Sequence, residues 1–328
     1  MKGLRPWKLK RVRKKFLLML LRKKKIQLLQ QMRKRRDELA ITATMVKELR
    51  ERTGLGMMDC KKALVDADGD MELAIEELRK KSVLKAAKKS GRTTANGLLG
   101  LKVADDATKA AIVEINIETD FAAKNEKFIA FVSRVASVLF ESQEGDLESL
   151  MQSGLDKERE TLVQEIGENI SIRRGELVVA PAGGCVASYL HTDNLKGSLV
   201  VMKTPASEIG RDVAMHITAI NPMVVRSEQI PEETVEKERQ IYVSQAEESG
   251  KPADIVEKMV EGRVKKFLSE VSLVDQPFVK DPDKKVGDLV KEAGSEVISF
   301  YRLEVGEGIE IKEEDFAAEV AAQLKESQ

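Results

Sequence analysis

Glu118-Thr119-Asp120-Phe121-Ala122-Ala123-Lys124-Asn125 marks the point where one periodicity gives way to another. Upstream, Ala111, Val113, Ile115 and Ile117 alternate with Ile112, Glu114, Asn116 and Glu118, the two-residue period of a strand. Downstream, Phe128, Val132, Val135 and Leu139 recur at helical spacing, so Lys124-Asn125-Glu126 reads as a helix start. The stretch is a strand-to-helix corner carrying an acid and an aromatic. Two readings stand. Either Asp120 caps the turn and Phe121 folds inward as core, or the corner holds the ring outward to enter a pocket on another protein. Residue types alone favour the first.

A chain of 328 residues is long enough for two or three domains. Its formal charge of zero hides an asymmetry. Residues 1–36 hold 16 Lys or Arg and no acid; removing them from the 55 basic residues leaves 39 against 55 acidic ones, a net of −16. The body is acidic. Two cysteines, Cys60 and Cys185, and two histidines, His191 and His216, argue against a disulfide framework and a zinc site, and a reducing cytoplasm is the expected compartment. The apolar run Phe16 to Leu21 is far shorter than the ~20 residues of a membrane span. It also lacks the cleavage site of a signal peptide.

Residues 1–38 place Phe16, Leu17, Leu20 and Leu21, then Ile26, Leu28 and Leu29, between basic clusters. Three readings remain open. The segment is a basic amphipathic helix for anionic lipid or RNA, a tail without a dedicated role, or translated upstream sequence before a start at or near Leu39. The first would make the protein a nucleic-acid or membrane-surface adaptor.

Residues 39–82 read as three short helices. Thr44 caps the first, which carries Met45, Val46 and Leu49 and ends at Gly54. The second opens at Met57-Met58-Asp59 with Ala63, Leu64 and Ala67 inward; the third, capped by Asp70, carries Met71, Ala74, Ile75 and Leu78. So small a bundle has little core and works by docking. Met45-Val46-Lys47-Glu48-Leu49-Arg50-Glu51-Arg52-Thr53-Gly54, with Gly56-Met57-Met58-Asp59-Cys60-Lys61-Lys62-Ala63-Leu64, resembles the ubiquitin-associated-like domain of the bacterial elongation factor Ts family. The resemblance implies docking on the GTPase domain of elongation factor Tu, with Lys47, Arg50, Met57 and Met58 among the contacts. From spacing alone, the methionines serve equally well as core filling.

Residues 83–94 read as a solvated linker, with Lys85, Lys88, Lys89 and Arg92 among small residues. Leu98–Val103 and Lys109–Glu118 form a hairpin that leads into the corner. Thr119-Asp120-Phe121 resembles the family's T-D-F-V-A signature, with Ala122 where valine is usual. The implied role of Thr119, Asp120, Phe121 and Ala122 is to dislocate Mg²⁺ from the partner GTPase, with Phe121 as a wedge, so that GDP leaves and GTP can load.

Ile166-Gly167-Glu168-Asn169-Ile170 with Ile172-Arg173-Arg174 resembles the family's I-G-E-N-I-x-I-R-R block. It implies that Ile166 and Gly167 touch the partner; the residues alone equally describe a helix terminus that needs a small residue. Strand-like runs at Leu177–Ala180, Val186–Leu190 and Ser198–Met202 suggest a sheet with helices on one side. Ser188-Tyr189-Leu190-His191 resembles a segment whose histidine meets the barrel domains of elongation factor Tu, so His191 is an implied contact; by residue type it is an exposed strand end. His216 reads as structural.

From Pro231 to Leu268 few apolar residues sit among many charges, with Val235, Ile241, Ile255, Met259, Val260 and Phe267 at the spacing of two helices. This resembles the family's coiled-coil insertion, whose role in self-association varies and leaves a homodimer open. Glu296–Glu304 reads as a strand and Asp315–Leu324 as a last helix, resembling the family's C-terminal module. The expected class is α+β: a three-helix bundle, a two-part core with antiparallel sheets, an inserted helical hairpin and a C-terminal helix. The segments are 39–82, the linker 83–94, core halves 95–180 and 181–224 with 274–308, the insertion 225–273, and 309–328. No phosphate-loop motif, nucleophile–base pair or metal cluster is legible. This agrees with what the resemblance implies: a non-enzymatic exchange factor without cofactor, binding elongation factor Tu in GDP-bound and nucleotide-free states, with no DNA partner.

Overall fold

Residues 41–142, 145, 154–247 and 252–310 are described in the computed structural model of the chain. The readings of residues 1–38, of the helix Asp315–Leu324, of most of the polar stretch Glu141–Ser153 and of Gly250-Lys251 lie outside them. The chain divides into two compact units, the first ending at Leu84 and the second beginning at Lys85.

The first unit holds α1 (Ala43–Thr53), α2 (Met57–Asp66) and all of α3 (Met71–Lys89) except its last five residues. The cap of α1 is Thr42 rather than Thr44. Thr42 is the last extended residue, and its Oγ1 accepts the Met45 N–H at 3.2 Å. Asp70 caps α3 as expected, accepting the Leu73 N–H at 3.0 Å. Val46, Leu49, Cys60, Leu64, Ala74 and Leu78 close a small core. The helix continues through residues expected to be a solvated connection and ends at Lys89.

The second unit is built on two antiparallel three-stranded sheets. β1 (Asn96–Val103), β2 (Lys109–Ile117) and β3 (Ile170–Val179) form the first, in that order. β4 (Cys185–Leu190), β5 (Lys196–Met202) and β8 (Val297–Glu304) form the second; β6 (Pro277–Phe278) and β7 (Asp281–Lys285) pair separately. The mixture of helices with antiparallel sheets makes the class α+β. The expectation that Leu177–Ala180 shares a sheet with Val186–Leu190 and Ser198–Met202 is corrected: the first run ends β3 in the first sheet, and the other two lie in the second. Leu99, Ile112 and Val178 of the first sheet share a core with Val186, Leu199 and Val201 of the second, so the sheets pack face to face.

The outer face of the first sheet carries Val113, Ile115 and Ile117. It is covered by the short helical turn α4 (Asp120–Ala123), α5 (Glu126–Glu141) and α6 (Asp156–Ile166), through Phe128, Val135, Leu139 and Val163. The outer face of the second is covered by α7 (Ser207–Ile220) and α10 (Val286–Glu292). β2 is thus buried on both faces. Its polar residues Glu114 and Asn116, on the face opposite Val113, Ile115 and Ile117, have no exposure and lie between the sheets.

Glu114 is tolerated there because four donors meet it. Arg173 Nη1 reaches Oε1 at 2.9 Å, Arg174 Nε reaches Oε2 at 2.5 Å, the Gly306 N–H reaches Oε1 at 2.8 Å and Asn116 Nδ2 reaches Oε1 at 3.1 Å. Two consecutive arginines reach one carboxylate because β3 carries a bulge: Glu114 pairs with Arg174 and Ile115 with Ile172, leaving Arg173 extra. Burial pushes the Glu114 carboxyl up, but the donors together hold it below its ordinary range. Gly306 must be glycine: its φ is +77°, and a Cβ there would sit 2.4 Å from the Ala95 carbonyl oxygen.

The inserted segment forms α8 (Glu232–Glu247) and α9 (Ala253–Val271). Their seam is Val235, Tyr242, Val243 and Ala246 against Val256, Val260, Val264 and Leu268. Ile241 and Ile255, expected in it, are exposed. His216 is buried and structural. Its Nε2 meets Gln276 Oε1 at 2.9 Å, its Nδ1 accepts the Val279 N–H at 3.2 Å, and burial keeps it neutral by lowering its pKa.

Candidate functional site

The corner is made by two caps in succession. Thr119 leaves β2 extended, and its Oγ1 accepts the Ala122 N–H at 3.2 Å, starting α4. Asn125 is again extended and accepts the Lys127 N–H at 2.9 Å, starting α5. Ala123 is buried and Ala122 packs against the core of the first sheet. Phe121, between the two caps and ahead of these alanines, is 81% exposed, so the inward reading is excluded. Asp120 is exposed and pairs with Lys124 at 3.0 Å, and the Lys124 ammonium lies 5.5 Å from the Phe121 ring centroid.

The corner is fastened to the start of β3. Glu168 accepts the Thr119 N–H at 2.9 Å and the Thr119 hydroxyl at 2.8 Å. Glu118 accepts the Asn169 N–H at 2.6 Å and pairs with Arg92 at 3.3 Å, while Asn96 Nδ2 donates to the Glu118 carbonyl at 2.8 Å. Asn169 Nδ2 in turn donates to the Arg92 carbonyl at 3.1 Å. This explains Arg92, which sequence reasoning assigned to a solvated linker, and Asn96 just beyond it. They are braces of the corner. The signal was the pair of acids Glu118 and Glu168, each beside an expected contact residue.

Gly167 ends α6 with φ +91°, its N–H donating to the Val163 carbonyl at 3.0 Å, and its own carbonyl accepts the Lys89 ammonium. Ile166 is half-buried against the same core. The Thr119–Glu168 bonds therefore bring residues 119–122 and 166–167 into one cluster. His191 lies elsewhere, on the turn after β4 in the second sheet. It is exposed, with Nδ1 3.2 Å from the Tyr189 hydroxyl. In the first unit, Met57 and Met58 are exposed at the start of α2, so core filling does not explain them. Lys47 and Arg50 are exposed on α1, Lys47 paired loosely with Glu51 at 3.8 Å.

Among the described residues no group of three or more His, Cys, Asp or Glu could hold a metal, and no helix is long and apolar enough to cross a membrane. What the geometry offers is a hydrogen-bonded corner with an exposed apolar tip.

A family model described as Elongation factor TS matches residues 118–307. Among curated relatives, Elongation factor Ts of Hahella chejuensis is 55% identical over 286 residues, covering 87% of this chain and 99% of its own. Elongation factor Ts of Marinobacter nauticus is 56% identical over 283 residues (86% and 97%), and that of Saccharophagus degradans 53% over 289 (88% and 99%).

Proposed function

The chain belongs to the elongation factor Ts family, and on that premise we propose that it is the guanine nucleotide exchange factor of elongation factor Tu. It binds the GDP-bound form, promotes GDP release by displacing Mg²⁺, and so allows GTP to load. It carries out no covalent chemistry of its own. The observation that carries the reading is the exposure of Phe121 on a corner whose Thr119 and Ala122 are held by hydrogen bonds.

Nanomolar nucleotide affinity corresponds to about 12 kcal/mol. Release is fast only if the factor binds the nucleotide-poor GTPase better than the GDP form, and reciprocity then requires GDP to expel the factor. Thr119 and Ala122 hold the backbone, Asp120 flanks the tip, and Phe121 enters between elements that support the Mg²⁺ site. Burying one such ring contributes roughly 1.5–3 kcal/mol, about 10- to 150-fold. That is less than the whole acceleration, so docking elsewhere supplies the rest. Lys47, Arg50, Met57 and Met58 on a ubiquitin-associated-like module grip the GTPase domain, Ile166 and Gly167 extend the contact beside Phe121, and His191 meets the barrel domains. The exposure of these side chains, with Ile166 half-buried, supports the assignment.

The test is GDP release from elongation factor Tu followed in stopped flow with and without this chain. Acceleration, together with a complex that forms without nucleotide and dissociates on adding GDP, is the expected result. No acceleration and no nucleotide-free complex would refute it.

A further inference from the structure

The acids flanking the corner are used reciprocally. Glu118, at the end of the first segment, gives its carboxylate to the Asn169 N–H, and Glu168, at the start of the second, gives its own to the Thr119 N–H. Each segment holds the other's backbone by a charge-assisted hydrogen bond, the stronger kind. Glu168 has a second task. Its other oxygen accepts a hydrogen bond from the Thr119 hydroxyl at 2.8 Å, which leaves that hydroxyl's lone pairs for the Ala122 N–H at 3.2 Å. A relay therefore runs from Glu168 through Thr119 to Ala122, and Phe121 sits inside the turn it fixes. Because that ring is 81% exposed, the backbone of the corner and not core packing decides where it points.

We propose that Glu168 is a positioning residue for nucleotide exchange: it orients the Thr119 hydroxyl as helix cap and thereby sets the direction of Phe121. The inference rests on the exchange function proposed above. Glu168 need not touch the partner. An apolar wedge works only where it is aimed, and a misplacement of about 1 Å in a positioned group can cost up to about a hundredfold in rate.

The experiment compares the full chain with its Glu168→Gln, Phe121→Ala and doubly substituted forms, reading GDP release from elongation factor Tu and amide hydrogen exchange. Glu168→Gln keeps the side chain's size but turns an amide NH₂ toward one of the two Thr119 donors. Maximal release falls about three- to tenfold while the half-saturating concentration moves less than about twofold, as expected of lost aim rather than lost docking. Amide exchange quickens at Thr119 and Ala122 but not at Ile115 in β2. In the Phe121→Ala background the Glu168 change causes no further loss, because the two act as one unit. Equal loss in both backgrounds overturns the proposal, as does normal release by Glu168→Gln when Phe121→Ala is slow. Normal release by Phe121→Ala sinks the exchange reading of the corner and this inference with it. Should Glu168→Gln fail to fold, Thr119→Val, which deletes the hydroxyl at constant shape, carries the same expectations.

Discussion

Leaving the Phe121 ring in water forgoes the roughly 1.5–3 kcal/mol that core burial would contribute, so the position adds little to this chain's own stability. Phe121→Ala is therefore expected to shift the free energy of unfolding by no more than about 0.5 kcal/mol, measured by urea denaturation. A larger loss would mean the ring packs inward in solution. Glu114 is the opposite case. Its replacement by alanine strands the Gly306 N–H and takes one partner from each guanidinium, at a cost of about 2–4 kcal/mol, tempered because Arg173 keeps the Glu307 carbonyl, Arg174 keeps the Glu304 carbonyl, and both remain partly in water. Its pH dependence follows from the sign of the shift. The folded pKa lies below the ordinary 4.5, so the contribution is complete above that value and disappears as pH falls through the folded pKa. Wild-type protein should weaken below about pH 4.5 more steeply than Glu114→Gln, and parallel acid profiles in the two proteins would contradict the clamp.

Gly167 shows what one backbone angle does for an element. A Cβ there would meet nothing nearer than the Lys89 ammonium at 4.0 Å, so space is not the constraint; φ at +91° is. Gly167→Ala should cost about 1 kcal/mol and fray the end of α6 beside the corner, visible as faster amide exchange there. Unchanged protection would remove the helix-end role. The strand-to-helix corner and the hairpin before it were legible because their periods are clean and their junction short. β3 was less so: only Leu177–Ala180 reads as strand-like, whereas the strand begins at Ile170, because the bulge at Arg173 breaks the alternation before it. Ile241 and Ile255 fit a helical period but not the seam, since a narrow hairpin interface accepts only one side of each helix. The exposure of Phe121 could not be read from residue types at all. It follows from two successive caps that turn the backbone while Ala123 takes the inward position.

At the scale of the molecule, the second unit is a sandwich whose two sheets carry different proposed contacts, the corner on the first and His191 on the second. The Glu114 clamp ties the first to the turn after β8 through Arg173, Arg174 and Gly306, so the spacing of those contacts is fixed by buried charge as well as by the apolar core. The first unit has a separate small core and exposes Met57 and Met58, as a docking module would. This arrangement assigns aim to the corner and grip to the rest. The claim is tested most directly by stopped-flow GDP release from elongation factor Tu with wild-type chain and Phe121→Ala, each with Mg²⁺ present and with Mg²⁺ chelated. The account predicts that Phe121→Ala is slower by about ten- to a hundredfold with Mg²⁺ present, and that the gap closes once the ion is gone. Equal rates in Mg²⁺, or a gap that persists without it, would contradict the account.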